Sequence, residues 1–509
     1  VLTDWSDNAS YRSAIGKRGC RTGWIGTHTS IMESAQGDGL HHNDKDEDAV
    51  MTVTDDAERA GDPADGGTRT TAAVSAPTAR TAWSITFLVM ILQTINFADK
   101  AVLGIVARPL SEDLGLSNAD IGLLGSVFYV LFVVTGLVGG FIADRVRIVW
   151  VLLALALLWS LVQIPVLLVG TFTALIVSRV LLGAAEGPAS AVNNVAVFGW
   201  FPKNKRGLPS AVVSSGTSLS KILMAPALTV IVAAYGWKSA FWTLMIVGLV
   251  WAAVWLMVGK DGPYSVSSAR EVAQSGTAGK VKRVSLLRIV ALPTFWGGVL
   301  GMFALYGMVA VILTWLPSYF EQGLGFSRVD SGLLFALPSA TGMASMLLVS
   351  YITDRLAGRG VTVRISRGMV SAVALFVCGG MMAAIPLVTS TWLAVFLVVA
   401  GYGAGVASYP LMNVAVAHIS PERQVASTLG VFTALFSTSG ILAPWLTGRL
   451  VDAASTPAEG YTTAFEIFGV VAIIGAVVMA LTVNPERDRA RIAAIDTLTR
   501  ADRSAGDES

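Results

Sequence analysis

Arg179-Val-Leu-Leu-Gly183-Ala-Ala-Glu186-Gly187-Pro188-Ala-Ser-Ala-Val-Asn193-Asn194 stands inside an apolar segment, residues 172–198, long enough to cross a bilayer. Yet the stretch holds an arginine, a glutamate and two adjacent amides. A charge at bilayer depth costs roughly 2.5–3.5 kcal/mol on insertion scales, so such residues face a wet cavity or a partner. Arg179 and Glu186 are seven residues apart, about 700° of rotation at 100° per residue, and so share a helix face. Two readings follow: a buried Arg–Glu pair that only fixes packing, or a proton or substrate site. Pro188 has no N–H to donate and should kink the span just past Glu186.

The rest of the chain has the same apolar character. Of 509 residues, 54% are hydrophobic and 14% charged, with a mean hydropathy of +0.65. A soluble domain carries about a quarter charged residues. The shortfall, with its long apolar runs, indicates a polytopic membrane protein. Apolar segments fall near 84–108, 119–142, 148–170, 172–198, 207–234 and 237–259, then near 290–319, 331–353, 368–388, 391–417, 424–448 and 462–484. The fold class is therefore all-α, with twelve transmembrane helices in two six-helix bundles. The expected organisation is a disordered polar tail (1–80), a first bundle (84–259), a central loop (260–287), a second bundle (288–485) and a C-terminal tail (486–509). Residues 1–80 lack the basic start and apolar core of a secretory signal. Cys20 and Cys378 sit far apart in different surroundings, so neither a disulfide nor a zinc site is expected. No catalytic, metal or phosphate-binding spacing appears, which argues against an enzyme, a cofactor and nucleic acid.

Charge sets the orientation. With both termini cytoplasmic, the inner connections hold Arg145, Arg147, Lys203, Lys205, Arg206, Lys280, Lys282, Arg283, Arg355, Arg359 and Arg364 among others. The outer connections hold Arg108, Lys238, Arg328 and Arg449. That asymmetry follows the positive-inside rule. The halves also repeat. Gly140-Phe-Ile-Ala-Asp144-Arg145 follows the second span, and Ser350-Tyr-Ile-Thr-Asp354-Arg355 follows the eighth. A carboxylate and a guanidinium at helix ends suit charge-assisted bonds between neighbouring bundles. Internal symmetry of this kind is typical of secondary transporters with a midplane site.

On these residues the chain resembles the major facilitator superfamily, although Val146-Arg147 shortens the end of its loop motif. More narrowly, residues 84–485 resemble the anion:cation symporter family. Four stretches carry that likeness: Asn96-Phe-Ala-Asp99-Lys100; Glu186-Gly-Pro188 with Asn193-Asn194 and Trp200-Phe-Pro202; Thr314-Trp315-Leu-Pro317-x-Tyr319; and Gly440-Ile-Leu-Ala-Pro444 with Gly448. Lys100 stands where the family usually has Arg, Phe132 where Tyr is common, Gly136 where Gln is common and Thr433 where Asn is frequent. The resemblance implies a proton-coupled or sodium-coupled carrier of organic anions.

Depth singles out the charges. Asp99 lies about fifteen residues into its span, roughly 22 Å, and Glu186 about twelve from its end, roughly 18 Å. The resemblance makes this pair the proton sites and makes Lys100 the contact for the anionic group. Lys100 stands about 100° around the helix from Asp99 and need not pair with it. Arg179 would hold Glu186, orient helices or serve coupling. Lys221, about fifteen residues into the fifth span, is not accounted for by the resemblance. It sits too deep to snorkel and should pair with Glu186 or Asp99 or meet the substrate. The second half offers no charge at bilayer depth. Its candidates are Tyr306, Thr314, Tyr402, Ser408, Tyr409, Asn413, Thr433 and Ser437, beside Gln93, Asn96, Gln163, Asn193 and Asn194 of the first half. Gly136 and Gly140 read as a close helix contact. The expected function is import of an organic anion, a carboxylate, by proton symport through a monomer in the plasma membrane. The rival is a proton-coupled exporter of drugs or lipophilic compounds.

Overall fold

The computed structural model describes residues 79–143, 147–201, 207–264, 285–421, 424–492 and 494. Asp144 and Arg145 of the first loop motif, Cys20, nearly all of the N-terminal tail and most of the central loop and the C-terminal tail lie outside these residues. Eleven helices among the described residues are long and apolar enough to span a membrane. They are α1 (Ala79–Leu114), α2 (Asn118–Ala143), α3 (Ile148–Val169), α5 (Leu208–Tyr235), α6 (Lys238–Val258), α7 (Pro293–Gly323), α8 (Arg328–Gly358), α9 (Arg364–Leu387), α10 (Thr391–Ile419), α11 (Ser427–Ala453) and α12 (Pro457–Thr482). The twelfth span, α4, is broken into Phe172–Glu186 and Ala189–Phe198. The break falls at Gly187-Pro188, where the missing N–H of proline interrupts the ladder. Twelve spans of alternating direction bring the start of α1, the end of α6, the start of α7 and the end of α12 to one face, called here the tail side; the other face is the loop side.

Glycines set how closely the helices pack. A Cβ on Gly183 would lie 1.9 Å from the Phe128 carbonyl oxygen, and one on Gly187 would lie 2.4 Å from that of Phe132. Gly183 and Gly187 thus form a small-xxx-small face on α4 against which the α2 backbone lies. Gly136 belongs to the same contact, 3.4 Å from the Gly187 carbonyl oxygen by the same measure. The contact foreseen at Gly136 exists, and its tighter partner is on α4.

The halves meet closely on the loop side. Gly104 of α1 packs on the α7 backbone at Leu313, Gly122 of α2 on α11 at Pro444, and Gly332 of α8 on Thr229 of α5. Polar bonds join the same face. Asp452 accepts from the backbone N–H groups of Asn118 (3.0 Å) and Ala119 (2.7 Å), closing the free N-terminus of α2 with a carboxylate from the other half. Arg108 of α1 meets Glu321 of α7 at 2.7 Å. This is a conformation closed on the loop side.

On the tail side the second half corrects an expectation. Asp354 pairs with Arg367, and Arg367 also donates to Thr353 at 2.6 Å. Both arginine contacts link α8 to α9 within one half, and among the described residues the Asp354 carboxylate makes no ion pair to the other bundle. Arg355 lies over the Tyr351 ring at 4.7 Å. The segment after α12 is pinned here too: Asp488 accepts from the Thr294 N–H at 2.9 Å, and Glu486 from the Arg364 N–H at 3.1 Å. Burial pushes the Asp488 carboxyl up, but the bonds from Arg487 and Thr294 outweigh it and hold the group below its ordinary value.

Candidate functional site

Five ionisable side chains gather deep in the first half: Asp99, Lys100, Arg179, Glu186 and Lys221. Asp99, Arg179, Glu186 and Lys221 are all buried. Adjacent residues on α1 point to different partners, as the 100° step between them requires. Asp99 faces α3, where Gln163 Nε2 donates to its Oδ1 at 3.0 Å. Lys100 faces α4, and its Nζ stands 3.1 Å from Glu186 Oε2. The same ammonium donates to Asn96 Oδ1, one turn back, at 3.1 Å.

An Arg179–Glu186 pair, one of the readings open to this arginine, does not form among the described residues. Arg179 turns to α1 and donates through Nη1 to the backbone oxygen of Asp99 at 3.1 Å. The shared helix face held, but Lys100 from a neighbouring helix reached the glutamate instead. Arg179 therefore secures α4 to α1 beside Asp99.

Aromatic rings close over Lys100. Its Nζ lies 4.3 Å from the centroid of Phe97 and 4.9 Å from that of Phe132. Phe128 stacks on Phe132 with centroids 5.5 Å apart. Ring faces attract a cation without neutralising it. Phe128 and Phe132 belong to α2, and they reach Lys100 because α2 packs on Gly183 and Gly187. Neither Glu186 oxygen receives an aligned hydrogen bond among the described residues, so Lys100 holds the carboxylate by charge.

Lys221 pairs with neither carboxylate. It sits in a widened turn, Ser220–Met224, where the Ala225 N–H reaches back five residues to the Ser220 carbonyl. Pro226 follows, supplies no N–H and crowds the preceding turn, which accounts for the extra residue. The ammonium donates to the Tyr402 hydroxyl of α10 at 3.0 Å. Tyr402 was one of several hydroxyl candidates, and this bond sets it apart.

The amides serve structure. Asn193 donates to Gln93 Oε1 at 2.6 Å, joining α4 to α1. Asn194 accepts from Ser210 at 2.8 Å, joining α4 to α5. Both amides, expected as substrate contacts, thus also hold neighbouring helices together. From the second half, Tyr306 packs edge-on against Tyr129 of α2 at 5.7 Å and at a tilt against Phe436 at 5.4 Å. The Tyr409 hydroxyl and the Ser437 hydroxyl are buried without a hydrogen-bond partner among the described residues. Thr433 is exposed on α11 and takes no part in these contacts. One further charge, Glu466, lies nine residues into α12, but it is exposed on the outside of the molecule. The second half thus lines the junction with hydroxyls and rings, while the first half supplies the charge buried at mid-depth.

Sequence reasoning missed Phe97, Phe128 and Tyr129. Gly183 and Gly187, four apart, were the available signal, because a small-xxx-small face on α4 requires a helix against it. Which helix it would be is not written locally.

Twelve spans in two halves, with polar and charged groups at mid-depth between them, define a membrane transporter. The family model of the Major Facilitator Superfamily matches residues 89–413 and 364–502, and the chain belongs to that superfamily. It is an integral membrane protein and a transporter, not an enzyme. A hexuronate transporter of Bacillus subtilis (strain 168) is 28% identical over 396 residues, covering 77% of this chain and 92% of that protein. The probable galactarate/D-glucarate transporter GudP of the same organism is 25% identical and covers 79% and 92%. The probable sulfoacetate transporter SauU of Cupriavidus necator is 28% identical and covers 77% and 91%. Among solved structures, a bacterial homologue of the human lysosomal transporter Spinster, inward-facing and occupied, superposes with a TM-score of 0.65 at 18% identity, covering 79% of this chain and 96% of that one. A D-xylose–proton symporter superposes with a TM-score of 0.65 at 17% identity, covering 80% and 99%. These two share the fold.

Proposed function

We propose that this protein imports an organic anion, a carboxylate of the sugar-acid kind, together with protons by alternating access. It would do so as a monomer in the plasma membrane with both termini cytoplasmic. The observation that carries the reading is the buried Lys100–Glu186 pair, 3.1 Å apart and caged by rings. The hexuronate and galactarate/D-glucarate relatives support the substrate class.

Coupling follows from competition for one ammonium. An entering carboxylate that takes Lys100 strands Glu186 in low dielectric, and a stranded carboxylate there takes up a proton. The site is then neutral enough to occlude and rock. On the far side the proton leaves, Glu186 recovers Lys100, and the anion is released. Asp99, held by Gln163 and by the cation beside it, is the second proton site. Two protons carry one positive charge inward with a monovalent anion, which gains about 2.3 kcal/mol per 100 mV, and none with a dianion.

The drug-exporter alternative also uses buried carboxylates, but it gives no role to Lys100, Arg179 and Lys221. Proteoliposomes separate the two readings. Purified protein should accumulate labelled galacturonate when the outside is acidic, and a protonophore should abolish the accumulation. Accumulation that survives collapse of the proton gradient contradicts the proposal.

A further inference from the structure

The buried charges do not balance. In this deep cluster Lys100, Arg179 and Lys221 stand against Asp99 and Glu186 among the described residues, so one positive charge is in excess when all are ionised. The structure shows which one. Lys100 has Glu186 as counter-ion, and Arg179 lies beside Asp99. Lys221 has a neutral phenol as its bonded partner, with the Tyr402 ring centroid 5.4 Å away, and no carboxylate within ion-pair distance among the described residues. A buried ammonium held only by a hydroxyl and a ring face stays charged at a cost that an arriving anion would offset.

Position makes this a second site. The helices α1 and α5 run parallel, and Gln93 meets Thr217 at 3.5 Å. Lys221 therefore stands level with Phe97, about 4.5 Å in depth from Lys100 at 1.5 Å per residue. At nearly one depth, Lys100 faces α2 and α4 while Lys221 faces α10. The two ammonium groups sit on different walls of the junction between halves. Tyr402 belongs to the second half, so a group bound at Lys221 and Tyr402 touches both halves at once.

We infer that Lys221 and Tyr402 form a second anion subsite, which takes the far carboxylate of a dicarboxylic sugar acid while the first carboxylate competes for Lys100. This rests on the carboxylate reading above and narrows it to diacids. The Lys221 ammonium and the Tyr402 hydroxyl would donate to the two oxygens of that carboxylate, replacing their bond to each other. A monocarboxylate of the same carbon skeleton presents an aldehyde or hydroxyl at that end and leaves the ammonium without a counter-ion.

The test uses purified full-length protein in detergent with galactarate and galacturonate as probes, their Kd values taken from ligand-dependent thermal shifts. Wild type should bind galactarate roughly tenfold more tightly than galacturonate, the scale of one buried charge-assisted contact. Lys221→Gln should weaken galactarate roughly tenfold and galacturonate less than about threefold. Tyr402→Phe keeps the ring and should reduce the galactarate preference a few-fold. It carries the test alone if Lys221→Gln fails to fold, and an unchanged preference in it then overturns the subsite. Equal affinities in wild type, or an equal loss for both acids in Lys221→Gln, overturn the subsite and leave the carboxylate reading standing. Wild type that binds neither acid overturns both.

Discussion

Glu186→Gln is expected to reduce proton-driven accumulation to the level of liposomes without protein, while exchange of labelled for unlabelled substrate continues. The glutamine keeps the shape of the side chain but carries no exchangeable charge. Lys100 then has no resident counter-ion and remains available to substrate through the whole cycle, so binding persists and coupling is lost. Asp99→Asn should behave similarly, with the Gln163 contact retained through the amide. Uptake and counterflow measured in the same proteoliposomes check this. A Glu186→Gln protein that still concentrates substrate along a proton gradient removes Glu186 from the coupling path.

The second large effect is structural. Gly183→Leu places a side chain where a Cβ alone would lie 1.9 Å from a backbone oxygen of α2. A backbone atom cannot turn aside as a side chain can, so α2 and α4 must separate. Overpacking a well-packed core costs roughly 1–3 kcal/mol, and contact with backbone lies at or above the upper end. Separation also withdraws Phe128 and Phe132 from Lys100. The expected result is loss of monodisperse protein on size exclusion, or, where some folds, uptake below about a tenth of wild type. Normal stability and normal uptake contradict the packing role assigned to Gly183.

The spans were legible because hydropathy is local. The observed helix ends fall within about six residues of the expected ones, and Pro188 marked the break in α4. The divergence of Asp99 and Lys100 was legible too, because it follows from helix rotation alone. The pairings were not. The heptad spacing of Arg179 and Glu186 correctly gave a shared face, but a neighbouring helix supplied Lys100 and turned Arg179 toward a carbonyl. The partner of Lys221 lies 181 residues away on α10. Such contacts depend on which helices are neighbours, and the glycine faces that decide this name no partner. Asp354 shows the same limit: the repeat suggested a bridge between bundles, and the nearby Arg367 on α9 took the carboxylate.

The central claim is that substrate and Glu186 compete for Lys100, so that anion binding is itself a protonation event. Proton exchange on binding tests this without membranes or gradients. Purified protein in weakly buffered detergent, mixed with excess galacturonate in the presence of a pH indicator, should take up protons from the medium in proportion to occupancy. The same experiment on Glu186→Gln should show binding with that proton uptake abolished or sharply reduced. Binding by wild type without any proton uptake, or undiminished uptake in Glu186→Gln, would contradict the account.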